Sequence, residues 1–198
     1  MKRLNLVDGP VRYYEDYIQQ TLDFSHTKKQ FLTVSKQALE LMNFEFYEII
    51  GLILRHIGFK NPQVSRGGDV NNRMDAIIID EENSIPIEIK SPGESKEINI
   101  KSIRQACENK VIILSRKFYK TTENTTSLAI AFRYPPERSD VYELIDDIKN
   151  AYHFNIGIID IDDLLSLVWD IAEGIGELDF DYFNTFCGKF DYEKALYK

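Results

Sequence analysis

Two apolar runs separated by a short polar stretch constrain this chain more than anything else in it: Met74-Asp75-Ala76-Ile77-Ile78-Ile79 and Ile85-Pro86-Ile87-Glu88-Ile89-Lys90. β-Branched residues suit pleated, buried surfaces, so both runs read as strands, and Asp80-Glu81-Glu82-Asn83 between them reads as the turn of a hairpin. Charges are out of place in ordinary core strands, because an ionised group taken out of water needs a partner. Alternation along a strand places Glu88 and Lys90 on one face and Ile87 and Ile89 on the other. If the runs pair, Asp75 joins them, and two carboxylates and an ammonium meet at one end of a small sheet. Such oxygen donors are what a hard divalent cation takes, with positions left open for water and phosphate oxygens.

The flanking sequence predicts a mixed sheet covered by helices. Residues 10–23 and 31–42 carry apolar side chains at three- and four-residue steps, and Phe44 to Ile57 forms a third helix that stops at Gly58. A polar loop from Asn61-Pro62 to Asn72, containing Ser65-Arg66-Gly67-Gly68, leads into the hairpin. Beyond it, residues 98–108 read as a helix, Val111 to Leu114 as a buried strand, and Ser127 to Tyr134 as a strand ending at Pro135-Pro136. Residues 139–152 read as a helix, Ile156 to Ile159 as a strand, and Asp162 to Ala172 as a helix opened by acidic residues. The expected fold class is α/β, with helices on a mixed central sheet. Two units are expected: an N-terminal helical extension over residues 1–43, packed on the core, and a main domain over 44–198.

The 198 residues carry 24 Lys and Arg against 32 Asp and Glu, a formal net charge of −8. That balance disfavours tight autonomous binding to a polyanion, since phosphate contacts need basic side chains. If the substrate is nucleic acid, something else holds it. Cys107 and Cys187 are far apart, and His26, His56 and His153 are scattered, so neither a disulfide framework nor a zinc site is indicated. No apolar run approaches the length of a membrane span and no secretory segment opens the chain, so the expected location is cytoplasmic.

Candidate site residues extend beyond the hairpin. Glu48, in the helix before the loop, is placed to approach a metal directly or through water, and is preferred to its neighbour Glu45. Gln105, on the helix after Lys90, has an amide suited to a metal-bound water or a DNA phosphate. Arg66 and Arg73 flank the glycine loop, whose backbone can approach a phosphate chain closely, and are candidate DNA contacts. Lys96 and Lys101 are weaker candidates.

In this order, Glu48, Asp75, Glu88-Ile89-Lys90 and Gln105 resemble the PD-(D/E)XK, or restriction-endonuclease-like, nuclease superfamily. Met74 stands where that pattern has proline, a departure that removes no metal ligand. More narrowly, residues 44–190 resemble the FokI-type cleavage module of type IIS restriction enzymes, through the Gly/Arg loop before Asp75 and the stretch Gly157 to Leu165 with Phe183 to Phe190 beyond. The resemblance implies Asp75, Glu88 and Lys90 as catalytic residues, Asp75, Glu88 and Glu48 as ligands of Mg²⁺, for which Mn²⁺ substitutes, and double-stranded DNA as substrate. FokI-type enzymes add a DNA-recognition domain for which 198 residues leave no room. The implied protein is therefore the catalytic small subunit of a bacterial heterodimeric type IIS restriction or nicking endonuclease, cutting one strand under a larger recognition subunit. Two other readings stay open: a self-sufficient homodimeric restriction or repair nuclease, and a catalytically inactive nuclease-like module that binds a protein.

Overall fold

The computed structural model describes residues 27–43, 45–65, 74–79 and 83–197. The predicted helix over 10–23, the Asp80–Glu82 part of the turn, Arg66, Arg73 and His26 lie outside these residues.

The two Ile-rich runs pair as neighbouring antiparallel strands, β2 (Ala76–Ile78) and β3 (Ile85–Ile89), with Ala76 opposite Ile87 and Ile78 opposite Ile85. A further strand, β1 (Pro62–Val64), runs antiparallel to β2 along its other side. Sequence reading assigned this segment to a loop. Its three residues carry too little alternation to announce a strand, and its leading proline is tolerated because the strand lies at the sheet edge. On the opposite side, β4 (Ser127–Ala131), β5 (Ile156–Asp160) and β7 (Gly188–Lys189) continue the sheet in parallel with β3, giving the order β1-β2-β3-β4-β5-β7. A separate antiparallel pair joins β6 (Glu177–Leu178) to β8 (Leu196–Tyr197).

Helices cover both faces. On one side lie α1 (Lys28–Glu40), α2 (Glu45–His56) and α5 (Ile161–Ala172), whose Phe31, Ile50, Leu54, Leu164 and Val168 pack with Ile87, Leu128, Ile130 and Ile159. On the other lie α3 (Ile100–Ser115) and α4 (Asp140–Tyr152), whose Ile103, Ala106, Val141 and Ile145 pack with Ala129, Ala131, Ile156 and Ile158. Alternate residues of β4 and β5 thus serve the two cores, as period-2 geometry requires. The predicted α/β class with a mixed, helix-flanked sheet is what the chain forms.

Capping explains several helix starts. Thr27 and Gln30 form a capping box on α1, Asn99 and Ser102 form one on α3, and Asp160 caps α5 by accepting from the Asp163 N–H. α1 joins the core through Phe31, which packs on Trp169 at 5.1 Å between ring centroids, and through ion pairs of Lys28 with Asp170 and of Lys36 with Asp162. Among the described residues no helix is long and apolar enough to cross a membrane.

One expected element is corrected. Val111 to Leu114, read as a buried strand, forms the last turns of α3. The intervening Asn109-Lys110 contains no helix breaker, and burial follows the helical period: Ile113 is fully buried, while Val111 is more than half exposed. The apolar look of the run hid polar residues that the helix buries just before it. Lys110 is wholly buried and donates to the carbonyls of Thr122 and Thr125, each at 2.5 Å, so it ties down the loop that leads to β4; burial pushes its ammonium down to about 8.

Aromatic packing closes the sheet beyond β5. The short helix α6 (Phe180–Thr185) contributes Phe183, which meets Phe59, Phe186 and Phe190. Gly157 admits this cluster, since a Cβ there would stand 2.5 Å from carbons of the Phe186 ring and 2.7 Å from Thr126 Cγ2. Gly157→Ala should therefore lower stability by roughly 1–3 kcal/mol, the usual cost of overpacking a filled core, as read from the urea midpoint.

Candidate active site

The β2–β3 register decides the geometry of the site. Continued by one residue beyond Ala76 opposite Ile87, it sets Asp75 across from Glu88. Cross-strand partners share a face, and Glu88 is also in register with Ala129, which belongs to the core beneath α3 and α4. The two carboxylates thus face the α3 layer side by side, with Lys90 two residues on. Ser65 fixes the approach to Asp75: its N–H donates to the Asp75 carbonyl at 2.7 Å and its hydroxyl to the Met74 carbonyl at 2.8 Å. Met74 packs with Ile77 and Ile113, so the residue that departs from the proline pattern serves as core.

Each charge has a defined set of partners. Lys90 Nζ donates to Glu88 Oε1 at 2.6 Å, the Ile89 N–H donates to Asp75 Oδ2 at 2.8 Å, and Asn109 Nδ2 on α3 donates to Glu88 Oε2 at 3.3 Å. Glu88 is 3 % and Lys90 8 % exposed, so this is a buried ion pair and not a solvated surface contact. Burial and the neighbouring Asp75 charge push the Glu88 carboxyl up to about 7, against the pull of Lys90. Burial also raises Asp75, opposed by the Ile89 N–H and by Lys90. One ammonium does not neutralise two adjacent carboxylates, so both carboxyls are held above their ordinary range.

Helix α2 contributes a residue other than the expected one. Tyr47 is 5 % exposed, and its hydroxyl donates to Glu94 Oε2 at 2.7 Å. Burial, that hydrogen bond and the negative charges of Asp75, Glu94 and Glu88 drive its ionisation far up, so the hydroxyl keeps its proton. Glu48, the predicted ligand, is half-buried one residue further on, and successive helical residues point about 100° apart. Among the described residues, no three His, Cys, Asp or Glu side chains are gathered as a metal-holding group, so Glu48 is not brought together with Asp75 and Glu88.

Gln105 lies one helical turn before Asn109, and i,i+4 residues share a face. Its Oε1 is buried and has no hydrogen-bond partner. Lys96 pairs with Glu40, and Lys101 is exposed. Sequence reasoning missed Tyr47, Glu94 and Asn109. The one available signal was the four-residue step from Gln105 to Asn109. Nothing local marked Tyr47 or Glu94, which meet across 47 residues of chain.

Chemically, the site offers two hard oxygen donors facing each other, an ammonium fixed beside them, and an unsatisfied amide oxygen one turn along the covering helix. This donor set suits a hydrated divalent cation: the carboxylates supply the charge it needs, and the free Gln105 oxygen suits a water bound to it.

Among solved structures the chain is similar to the restriction endonuclease FokI, with a TM-score of 0.59 and 12% identity over 94% of this chain and 35% of that one. It is also similar to FokI bound to DNA, with a TM-score of 0.55 and 11% identity over 94% and 34% of the respective chains. The fold is restriction-endonuclease-like. No protein-family model matches the sequence, and no curated protein matches it. The chain spans about a third of FokI's length.

The raised Glu88 carboxyl has a thermodynamic consequence. A carboxyl whose folded-state value lies above its unfolded one stabilises the fold fully below the unfolded value, and that contribution is lost as pH rises through the folded one. In the presence of a chelator, wild-type stability should fall relative to Glu88→Gln as pH rises from about 4.5 to about 7. Parallel thermal melts of the two proteins across this range check it; a constant difference would remove Glu88 as the titrating group.

Proposed function

We propose that this chain is a Mg²⁺-dependent DNA endonuclease subunit that hydrolyses one strand at a position chosen by a larger DNA-recognition subunit, in a type IIS restriction or nicking system. The observation that carries this reading is the opposed Asp75–Glu88 pair with Lys90 fixed at 2.6 Å from Glu88, set in a fold similar to FokI's. Asp75 and Glu88 would hold the cation. When bound, it would supply charge neutralisation at the scissile phosphate and lower the pKa of a bound water.

The chain's own groups account for the rest. Lys90 would orient the attacking water or stabilise charge that develops on the phosphate, a role supported by its pairing with Glu88, which fixes the ammonium beside the carboxylates. Asn109 keeps Glu88 turned toward Asp75 by donating to its second oxygen. Gln105, Arg66 and Arg73 are the proposed contacts to DNA or its bound water. The net charge of −8 supports delivery by a partner, because a cutter brought to its site by another subunit does not need a basic groove of its own.

A self-sufficient homodimer and an inactive binding module are separated from this reading by one assay. Nicking of duplex DNA is followed with Mg²⁺, for the chain alone and with a candidate large recognition subunit. Cutting that requires the partner supports the proposal. Defined cutting by the chain alone selects the homodimer, and inactivity in every mixture selects the binding module.

Two further outcomes are expected. Asp75→Ala and Glu88→Ala should each lower strand cleavage by at least roughly 10²–10³-fold, the scale of removing one preorganised electrostatic group, while assembly with the partner survives in gel filtration. Lys90→Ala should lose activity on a similar scale with Mn²⁺ affinity retained in calorimetry. Mg²⁺ at about 100 times its Kd should stabilise the wild type by about 2.7 kcal/mol in thermal unfolding, and Asp75→Ala should abolish the gain.

A further inference from the structure

The segment after Lys90, Ser91 to Ser95, is a tight turn whose geometry is set by groups outside it. Within the turn, the Glu94 and Ser95 N–H groups both donate to the Ser91 carbonyl at 3.0 Å, and the Ser91 N–H donates back to Glu94 Oε2 at 3.3 Å. That same carboxylate oxygen accepts the Tyr47 hydroxyl at 2.7 Å. A second contact binds the turn to the same stretch of chain: Gly93 lies so close to Asn43 that a Cβ would stand 2.1 Å from Asn43 Oδ1. Asn43 stands two residues before α2 and Tyr47 lies in its first turn, so the turn rests against the start of that helix. At its other end the turn begins at Lys90, whose N–H donates to the Ile130 carbonyl at 2.8 Å as the last link of β3 to β4.

Glu94 supplies the acceptor for the buried Tyr47 hydroxyl. It is itself exposed and stands close enough to Asp75 to raise that carboxyl further, adding negative charge to a site that already has an excess. Simple packing does not call for that arrangement. A hydrogen bond that holds the chain just beyond Lys90 does, because the ammonium acts only while its backbone is held in place, and a displacement of about 1 Å at a reacting group can cost on the order of 100-fold in rate.

We propose that Tyr47 and Glu94 form a hydrogen-bonded latch between α2 and the turn after β3, which positions Lys90 against the carboxylate pair for strand cleavage; the inference rests on the nuclease reading above. Both are positioning residues, acting through Lys90. The latch requires an oxygen acceptor at position 94 and a hydroxyl at position 47. It does not require the Glu94 charge.

The test uses the full-length chain with its recognition partner and Mg²⁺, and compares Tyr47→Phe, Glu94→Ala, Glu94→Gln and the double variant Tyr47→Phe/Glu94→Ala. Tyr47→Phe and Glu94→Ala should each lower kcat by roughly 10–100-fold with KM for DNA within about twofold, as expected when geometry and not binding is lost. Glu94→Gln keeps an acceptor oxygen and should stay within about threefold of wild type, and the double variant should be no slower than the worse single one. Hydrogen exchange in the chain without DNA gives a readout independent of activity: the Ser91, Glu94 and Ser95 amides should exchange faster in Tyr47→Phe and Glu94→Ala but not in Glu94→Gln. Wild-type kcat in Tyr47→Phe, additive losses in the double variant, or a Glu94→Gln as slow as Glu94→Ala would each overturn the latch, the last by showing that the carboxylate charge is used directly. If the wild type cuts nothing in any mixture, the nuclease reading itself fails and the positioning role fails with it; if the wild type cuts and only the variants behave otherwise than stated, the latch alone is lost.

Discussion

Asp75, half-buried, and Glu88, buried, face each other across two antiparallel strands, with the single ammonium of Lys90 bonded to Glu88. Like charges at such separation repel, and burial disfavours both ionised forms, so the pair costs stability that the surrounding structure must offset. It does so through specific donors: the Ile89 N–H for Asp75, and Lys90 and Asn109 for Glu88. Slipping β2 by one residue against β3 would turn Asp75 to the opposite face, into the core formed with α1, α2 and α5, while Glu88 stayed in register with Ala129 on β4. The apolar faces of both strands therefore hold the register that the polar face needs.

The layers around the sheet serve the same pair from two sides. From the α3 layer comes Asn109, and Ala129, in register with Glu88, is a small neighbour on the face that α3 covers. From the α2 layer comes Tyr47, which belongs to the opposite core yet reaches Glu94 at the strand end. The site thus lies where the two cores meet at the end of β3, consistent with the tendency of α/β sheets to present ligand sites at the carboxyl ends of their strands.

Much of the fold could be read from residue pattern because its elements obey local rules. Helices over 139–152 and 162–172 and the strands of β2, β3, β4 and β5 follow from periodicity and caps, and the structure places them within a few residues of where the pattern did. The failures have a common cause. Val111 to Leu114 looks like a strand because four apolar residues in a row carry no period of their own, and only the buried Asn109 and Lys110 before them mark the run as part of a helix already under way. Pro62 to Val64 looks like a loop because an edge strand three residues long is defined by its partner and not by its composition. Glu48 was preferred to Glu45 because a carboxylate suggests a ligand, whereas the residue of α2 that bonds the turn after β3 is Tyr47, through Glu94.

What the amino-acid sequence determined alone was the alternation that sets Glu88 and Lys90 on one face of an apolar strand, and the placing of Asp75 in the run that pairs with it. Strand period is a local property, so side-chain direction follows from counting. Only the tertiary structure decided that Tyr47, Glu94 and Asn109 gather around that cluster, and that Gln105 keeps an oxygen without a partner on the same helix face. Those meetings depend on how α2 and α3 are rotated and seated on the sheet. The seating results from packing over both cores at once, and no stretch of neighbouring residues encodes it.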